Sequence, residues 1–136
     1  MKQPTFLMCS PDYFNVSYKI NPWMNPSKWT AEDADLAMKQ WWQLTRKLTH
    51  LGCSLEYLEP KPQVPDLVFT ANHAVVFDGH VVLANFKHPE RQLEEIYVEN
   101  FFFDFFKKNN GYISNIRRPS YEIFEGAGDA DRKSVV

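Results

Sequence analysis

A helix, a glycine and a strand follow one another twice in this chain, about sixty residues apart, and this repetition restricts the folds that the sequence can adopt. The first helical pattern ends at Gly52 and precedes the alternating segment 54–58. The second starts at Pro89, ends at Gly111 and precedes the strand-like segment 112–116. Extended segments precede both copies. The pattern predicts an α/β fold built from repeated units of strands plus one helix.

Local signals mark the two ends of the first helix. Thr30 is a predicted N-cap, with Asp33 three residues later as in a capping box. Gly52 stands where a left-handed residue commonly ends a helix. Apolar residues recur between these positions at helical spacing, which predicts one continuous amphipathic helix.

An Asp-Gly pair gives the strongest strand signal. Asp78 and Gly79 separate the β-branched runs 74–77 and 80–84, which predicts a tight hairpin. Further short strands are predicted over residues 5–9, 66–69 and 121–124.

Composition excludes several classes of partner and cofactor. At 136 residues the chain is one domain at most, and its net charge of −2 gives no general attraction to nucleic acid or membrane. Cys9 and Cys53 lack the spacing of a zinc site, so no metal is expected. Neither a signal-peptide core nor a run of membrane-spanning length occurs, and the expected location is the reducing cytoplasm.

The stretch 65–72 (PDLVFTAN) combines an acid, an aromatic ring and an amide. Asp66, Phe69 and Asn72 could together bind a planar cation such as a guanidinium: the carboxylate and the amide carbonyl accept its N–H groups, and the ring stacks on its plane. The alternative is structural: Asp66 caps a turn after Pro65, and Asn72 forms an Asx-turn. The residues alone leave both interpretations open.

A second polar stretch, 124–129 (FEGAGD), sets two acids around small residues. Gly126 and Gly128 allow the backbone to approach a ligand or another strand closely, and the two polar stretches are expected to lie side by side. Glu125, if buried, could serve as a general acid or base. The alternative is a glycine-rich turn with solvated acids.

Arg91 lies in the first turn of the second predicted helix. Its fork of N–H donors suits a carboxylate ligand. The alternative is a surface arginine paired with Glu94 or Glu95. His73, His80 and His88 are spaced neither as metal ligands nor as members of a triad.

Five motifs together resemble the N-terminal part of the guanidino-group-modifying enzyme superfamily. This superfamily includes dimethylarginine dimethylaminohydrolases, arginine deiminases, arginine dihydrolases and amidinotransferases, and the motifs look most like those of arginine dihydrolases. They are residues 6–12 (FLMCSPD), 20–24 (INPWM), 65–72, 88–92 (HPERQ) and 124–129.

The resemblance implies an α/β pentein, or α/β propeller, of which residues 1–136 would form about two to three of five modules. Residues 131–136 would be a non-native or frayed tail. The implied chemistry is covalent: a cysteine attacks the guanidinium carbon and a histidine assists proton transfer, with no metal or organic cofactor.

The resemblance also implies roles for individual residues. Glu125 corresponds to the catalytic glutamate, although one extra residue before Asp129 leaves open which of the two acids aligns with it. Asn21 corresponds to a lid position, Phe69 and Asn72 to the guanidinium pocket, and Arg91 to the arginine that holds the substrate carboxylate. Asp129 is counted with the substrate-binding residues. Arginine deiminases have an acid where this chain has Asn72.

The family cysteine and histidine follow the second polar stretch, where this chain ends, and Cys9 and Cys53 do not take the nucleophile's place. The expectation is therefore a truncated family member that is inactive alone, whose full-length form acts on the guanidino group of L-arginine or an analogue. The alternative is a non-catalytic protein that binds arginine or pairs with another subunit. Open sheet edges would favour self-association or pairing.

Overall fold

The computed structural model describes residues 3–108 and 115–130. These form parts of two compact units, Met1–Val68 and Phe69–Val136. Three predictions lie outside the described residues: the helix end at Gly111, most of the strand 112–116, and the tail 131–136.

The first unit contains a strand, a long helix and a second strand. Strands β1 (Thr5–Cys9) and β2 (Ser54–Leu58) pair in parallel, from Thr5 opposite Ser54 to Cys9 opposite Leu58. A parallel pair needs a crossover connection, and helix α1 (Ala31–His50) lies in that connection. The predicted limits of α1 are confirmed. Thr30 and Asp33 form a reciprocal capping box, and Gly52 has a φ of 82°.

Residues 66–69 do not form the predicted strand. Pro65–Val68 is instead a 3-10 helix whose residues Pro65, Asp66 and Leu67 are buried. A short apolar run does not distinguish a strand from a helical turn by itself. Proline at the first position has a φ that suits the turn and lacks an N–H that the turn would leave unpaired.

The second unit is built on the predicted hairpin. Strands β3 (Ala74–Phe77) and β4 (His80–Leu83) pair antiparallel. Asp78 and Gly79 between them have φ values of 47° and 74°, the positive pair that a type I′ turn requires. This prediction is confirmed.

The second helical pattern folds as two helices. Pro89–Gln92 forms the short helix α2, and Glu94–Lys108 forms α3, with a break at Leu93. Strand β5 (Asn115–Arg117) then pairs in parallel with β4. Each unit therefore contains two parallel strands with helix in the connection, so the predicted α/β class is confirmed.

The segment 121–124 is not a strand. Asn85 and Phe124 form an isolated antiparallel bridge with backbone hydrogen bonds of 2.8 and 3.1 Å, and the side-chain amide of Asn85 donates to the backbone oxygen of Glu122 at 2.7 Å. Tyr121 in this segment is 98% exposed.

Side chains of β4, α3 and the segment between them form the buried interior of this unit, among them Val81, Leu83, Phe86, Val98 and Phe102. Among residues 3–108 and 115–130, no helix has the length and hydropathy needed to span a membrane.

Candidate functional site

Arg91 is a buried residue of the second unit. It is the third residue of α2 and is 6% exposed. Its Nε donates to Oε1 of Glu94 at 3.0 Å, and its Nη2 donates to Oε2 at 2.8 Å, so the two groups meet side-on at two points. The expected partner Glu94 is confirmed, whereas the expectation of a surface position is wrong. The first turn of α3 places Glu94 in the interior, and Arg91 is drawn in with it.

An amide and an aromatic ring complete the surroundings of this guanidinium. Nη1 of Arg91 donates to Oδ1 of Asn72 at 3.2 Å, and its Cζ lies 4.3 Å from the centre of the Phe86 ring. The side-chain carbonyl of Asn72 thus serves Arg91 rather than an Asx-turn. Acid, amide and ring are the three groups that the sequence predicted around a bound guanidinium. In the structure they surround the chain's own Arg91, with Glu94 and Phe86 as the acid and the ring.

His73 is the member of this cluster that sequence reasoning missed. It is 1% exposed, and its Nε2 lies 2.7 Å from Oε2 of Glu94. Its ring packs edge-on against Phe86 with centroids 5.6 Å apart. Nδ1 of His73 has no hydrogen-bond partner among the residues that the structure describes. Twenty-one positions separate His73 from Glu94, and no local pattern links residues at that distance.

Gly126 brings part of the second polar stretch against part of the first. Its φ is 65°, and a Cβ at this position would lie 2.4 Å from the backbone oxygen of Ala71 and 2.6 Å from the carbonyl carbon of Asn72. The 3-10 helices Thr70–Asn72 and Gly126–Gly128 therefore touch through backbone. A close backbone approach at Gly126 is confirmed, but the neighbour is a 3-10 helix rather than the predicted strand or ligand. Gly128 is different, because a Cβ there would meet nothing within 4 Å.

The two acids of the second stretch have different surroundings. Asp129 is exposed, and its Oδ2 accepts a hydrogen bond of 2.6 Å from the backbone N–H of Glu125. Asp129 thus stabilises the turn around Gly126–Gly128. This agrees with the alternative interpretation of the stretch as a glycine-rich turn with solvated acids. Glu125 is half-buried, and its Oε1 accepts from the backbone N–H of Lys87 at 3.4 Å.

The remaining predicted site residues have local surroundings of their own. Phe69 is 44% exposed and precedes the 3-10 helix Thr70–Asn72. In the first unit, Asn21 is exposed and its Oδ1 accepts from the backbone N–H groups of Trp23 and Met24, both at 3.0 Å. Asp66 is 4% exposed and accepts a hydrogen bond of 2.7 Å from the hydroxyl of Tyr18.

Both thiols lie in the first unit. Cys9 ends β1 and is buried, whereas Cys53 follows α1 and is partly exposed. Within the described part of the chain, no three His, Cys, Asp or Glu side chains cluster in an arrangement that could hold a metal ion.

Comparison with known proteins agrees with this fold and with the five motifs. A sequence profile for eukaryotic N,N dimethylarginine dimethylhydrolases matches residues 10–132. The bifunctional arginine dihydrolase/ornithine cyclodeaminase AgrE of Nostoc is 42% identical over 92% of this chain. The protein ZK1307.1 of Caenorhabditis elegans is 39% identical over 95% of it.

Solved structures show the same similarity. AgrE in a binary complex with L-arginine superposes with a TM-score of 0.79 over 95% of this chain at 38% identity. The product-bound N-terminal domain of ArgZ, a cyanobacterial arginine dihydrolase, gives 0.79 over 94% at 35% identity. The fold and the motifs define an α/β protein of the guanidino-modifying class. Within that class, the chain belongs to the dimethylarginine dimethylhydrolase family.

The chain covers a limited share of each of these proteins. It spans 17% of AgrE and 44% of ZK1307.1. It also spans 44% of the crystallised N-terminal domain of ArgZ. The region of these proteins that matches this chain lies in their N-terminal portion.

Proposed function

We propose that this chain binds L-arginine or a close analogue and that Arg91 holds the carboxylate of that ligand. The observation that carries the proposal is the fixed position of the Arg91 guanidinium, held by Glu94 and Asn72 above the Phe86 ring. A guanidinium whose plane is set in advance loses little freedom when it binds a carboxylate. The L-arginine complex of AgrE is consistent with such a ligand.

Further site residues are proposed at the two touching 3-10 helices. Phe69 and Asn72 would line the pocket for the ligand guanidinium, with Asn72 also contacting Arg91 through its Oδ1. Glu125 would act as the acid that exchanges a proton with the ligand. Asp129 would support Glu125 through the hydrogen bond to its backbone N–H. Asn21 would lie in a lid whose shape its own side chain maintains.

The reaction is proposed for an enzyme domain of which these residues form the N-terminal part, about two to three of five pentein modules. That domain would hydrolyse or transfer the amidino group. A cysteine thiolate would attack the guanidinium carbon, the C–N bond would break with loss of ammonia or an amine, and water or an acceptor amine would release the cysteine. Cys9 is buried at the end of β1, and Cys53 lies in the short connection between α1 and β2. This chain would therefore supply binding and the acid rather than the nucleophile.

A second candidate function is subunit pairing without catalysis. It is favoured by the two-stranded parallel sheet of β1 and β2, since parallel strands are usually covered and flanked by further strands. Among the described residues, β2 pairs with β1 and with no other strand. A sheet edge such as that of β2 can take up a strand from another chain.

Titration calorimetry of the 136-residue chain with L-arginine tests the main proposal, with L-lysine as the control ligand. We expect L-arginine to bind, L-lysine to bind at least about tenfold more weakly because it lacks a planar guanidinium, and no citrulline, ornithine or ammonia to form. Absence of arginine binding would contradict the binding role. Turnover by the pure chain would contradict the assignment of the nucleophile to another part of the domain.

A further inference from the structure

We infer that His73 is a positioning residue for the substrate carboxylate: it holds Glu94, and Glu94 in turn orients the guanidinium of Arg91. The inference rests on the proposed function in one respect, the role of Arg91. The contacts among His73, Glu94 and Arg91 are independent of that role.

One carboxylate oxygen joins the three residues. Oε2 of Glu94 lies 2.7 Å from Nε2 of His73 and 2.8 Å from Nη2 of Arg91. His73 and Glu94 are 1% and 0% exposed, so water does not compete for these contacts. The residues come from three places: His73 lies between the 3-10 helix Thr70–Asn72 and β3, Arg91 lies in α2, and Glu94 lies in the first turn of α3. Glu94 is therefore the point at which these segments are joined.

The His73 imidazole supplies a hydrogen bond to the Glu94 carboxylate in addition to those from Arg91. A carboxylate accepts about four hydrogen bonds, and each acceptor that is buried without a donor lowers stability. Arg91 approaches Glu94 from one edge with Nε and Nη2. Because an ionised carboxylate only accepts hydrogen bonds, the inference gives Nε2 of His73 the donor role, and a donor on this side restricts rotation of the carboxylate plane. Because a two-point ion pair keeps its two planes aligned, a fixed Glu94 also fixes the plane of Arg91.

Phe86 strengthens the link by contacting both partners of Glu94. Its face lies under Cζ of Arg91 at 4.3 Å, and His73 packs against it edge-on. A tilt of the imidazole would therefore press on the ring that supports the guanidinium. Small displacements of a binding group weaken recognition strongly, because the geometry of a bidentate carboxylate contact is narrow.

The test compares two ligands that differ only at the carboxylate, L-arginine and its decarboxylated analogue agmatine. His73→Leu removes the donor. We expect it to weaken L-arginine binding about tenfold, as for a lost hydrogen bond to a charged group, and to change agmatine binding by less than about twofold. His73→Gln places an amide N–H near the position of Nε2, and we expect it to recover most of the arginine affinity.

A buried control separates positioning from general destabilisation. Val81 is 0% exposed and lies in β4 opposite Val76. Val81→Ala should lower the melting temperature and leave the ratio of the arginine and agmatine dissociation constants unchanged. A wild-type chain that binds no arginine would overturn the proposed function together with this inference. A wild-type chain that binds arginine, with His73→Leu weakening both ligands equally or His73→Gln restoring nothing, would overturn the inference alone.

Nitrogen NMR of the His73 ring adds a readout that needs no ligand. In the wild-type chain we expect a proton on Nε2, where the carboxylate lies, and a Glu94→Gln substitution should shift the ring nitrogen resonances. An unprotonated Nε2 in the wild-type chain, or resonances unchanged by Glu94→Gln, would overturn the inference.

Discussion

Arg91 and Glu94 form a two-point ion pair whose carboxylate is entirely buried and whose guanidinium side chain is 8% exposed. Desolvation offsets much of the attraction in such a pair, so its main effect is on geometry rather than on net stability. Here the pair fixes the plane of the Arg91 guanidinium, which lies three residues before Glu94 in the sequence. The same carboxylate contacts His73, which gives the arrangement one defined orientation.

Glu94→Gln should destabilise the fold strongly, because it leaves the Arg91 charge buried without its counter-charge. We expect the free energy of unfolding, measured by urea denaturation, to fall by about 3 kcal/mol. The matched control is Glu59→Gln, whose side chain is 80% exposed and pairs with Lys61. That change should stay within about 1 kcal/mol. Equal effects of the two substitutions would contradict the buried role of Glu94.

Arg91→Lys should weaken arginine binding although it keeps the charge. Lysine is a point charge and cannot contact Glu94 side-on while facing a second carboxylate, so we expect L-arginine affinity to fall at least about tenfold by calorimetry. Agmatine affinity should change much less. Arg118→Lys is the control, since Arg118 is a partly exposed arginine that pairs with Glu95 and Glu99. Equal losses in the two variants would refute a specific role for Arg91.

Gly126→Ala should disrupt the contact between the two 3-10 helices. The methyl group would lie 2.4 Å from the Ala71 oxygen at a φ of 65°. Left-handed strain and overpacking together should cost about 2–4 kcal/mol of unfolding free energy. Gly128→Ala, in the same short helix, meets nothing within 4 Å and should stay within about 0.5 kcal/mol. A tolerated Gly126→Ala would show that this backbone contact does not form.

Gly79→Ala should destabilise the β3–β4 hairpin. Gly79 has a φ of 74°, and a side chain in that region costs roughly 1–2 kcal/mol, which thermal unfolding will detect. Asp78→Asn is the control, because asparagine tolerates the φ of 47° observed at Asp78 and should change stability by less than about 0.5 kcal/mol. Hairpin stability that is insensitive to Gly79→Ala would rule out the type I′ turn.

The elements predicted correctly are those specified by neighbouring residues. The capping box of Thr30 and Asp33, the left-handed Gly52 and the Asp78-Gly79 turn each depend on contacts within a few positions. Backbone preferences and short hydrogen bonds determine such features before any tertiary contact forms. The repeated helix and strand pattern indicated the α/β class for the same reason.

The incorrect predictions concern segments whose conformation depends on distant partners. The apolar run 66–69 had strand-like residues, yet the turn around Pro65 and burial of Leu67 favour a 3-10 helix. The segment 121–124 had a strand's composition, yet its backbone pairs with Asn85 in an isolated bridge. Short apolar runs are ambiguous because packing, rather than propensity, decides between their conformations.

The candidate site divides in the same way. Residue types alone identified Asn72, Arg91 and the close approach at Gly126 as notable, and the spacing of Arg91 and Glu94 within one helical region suggested their pairing. Tertiary structure decided that Arg91 is buried, that Phe86 lies beneath it, and that His73 contacts Glu94 from a position just before β3. Burial and contacts between residues distant in sequence arise only when the chain packs, because they depend on where whole elements lie rather than on the residues beside them.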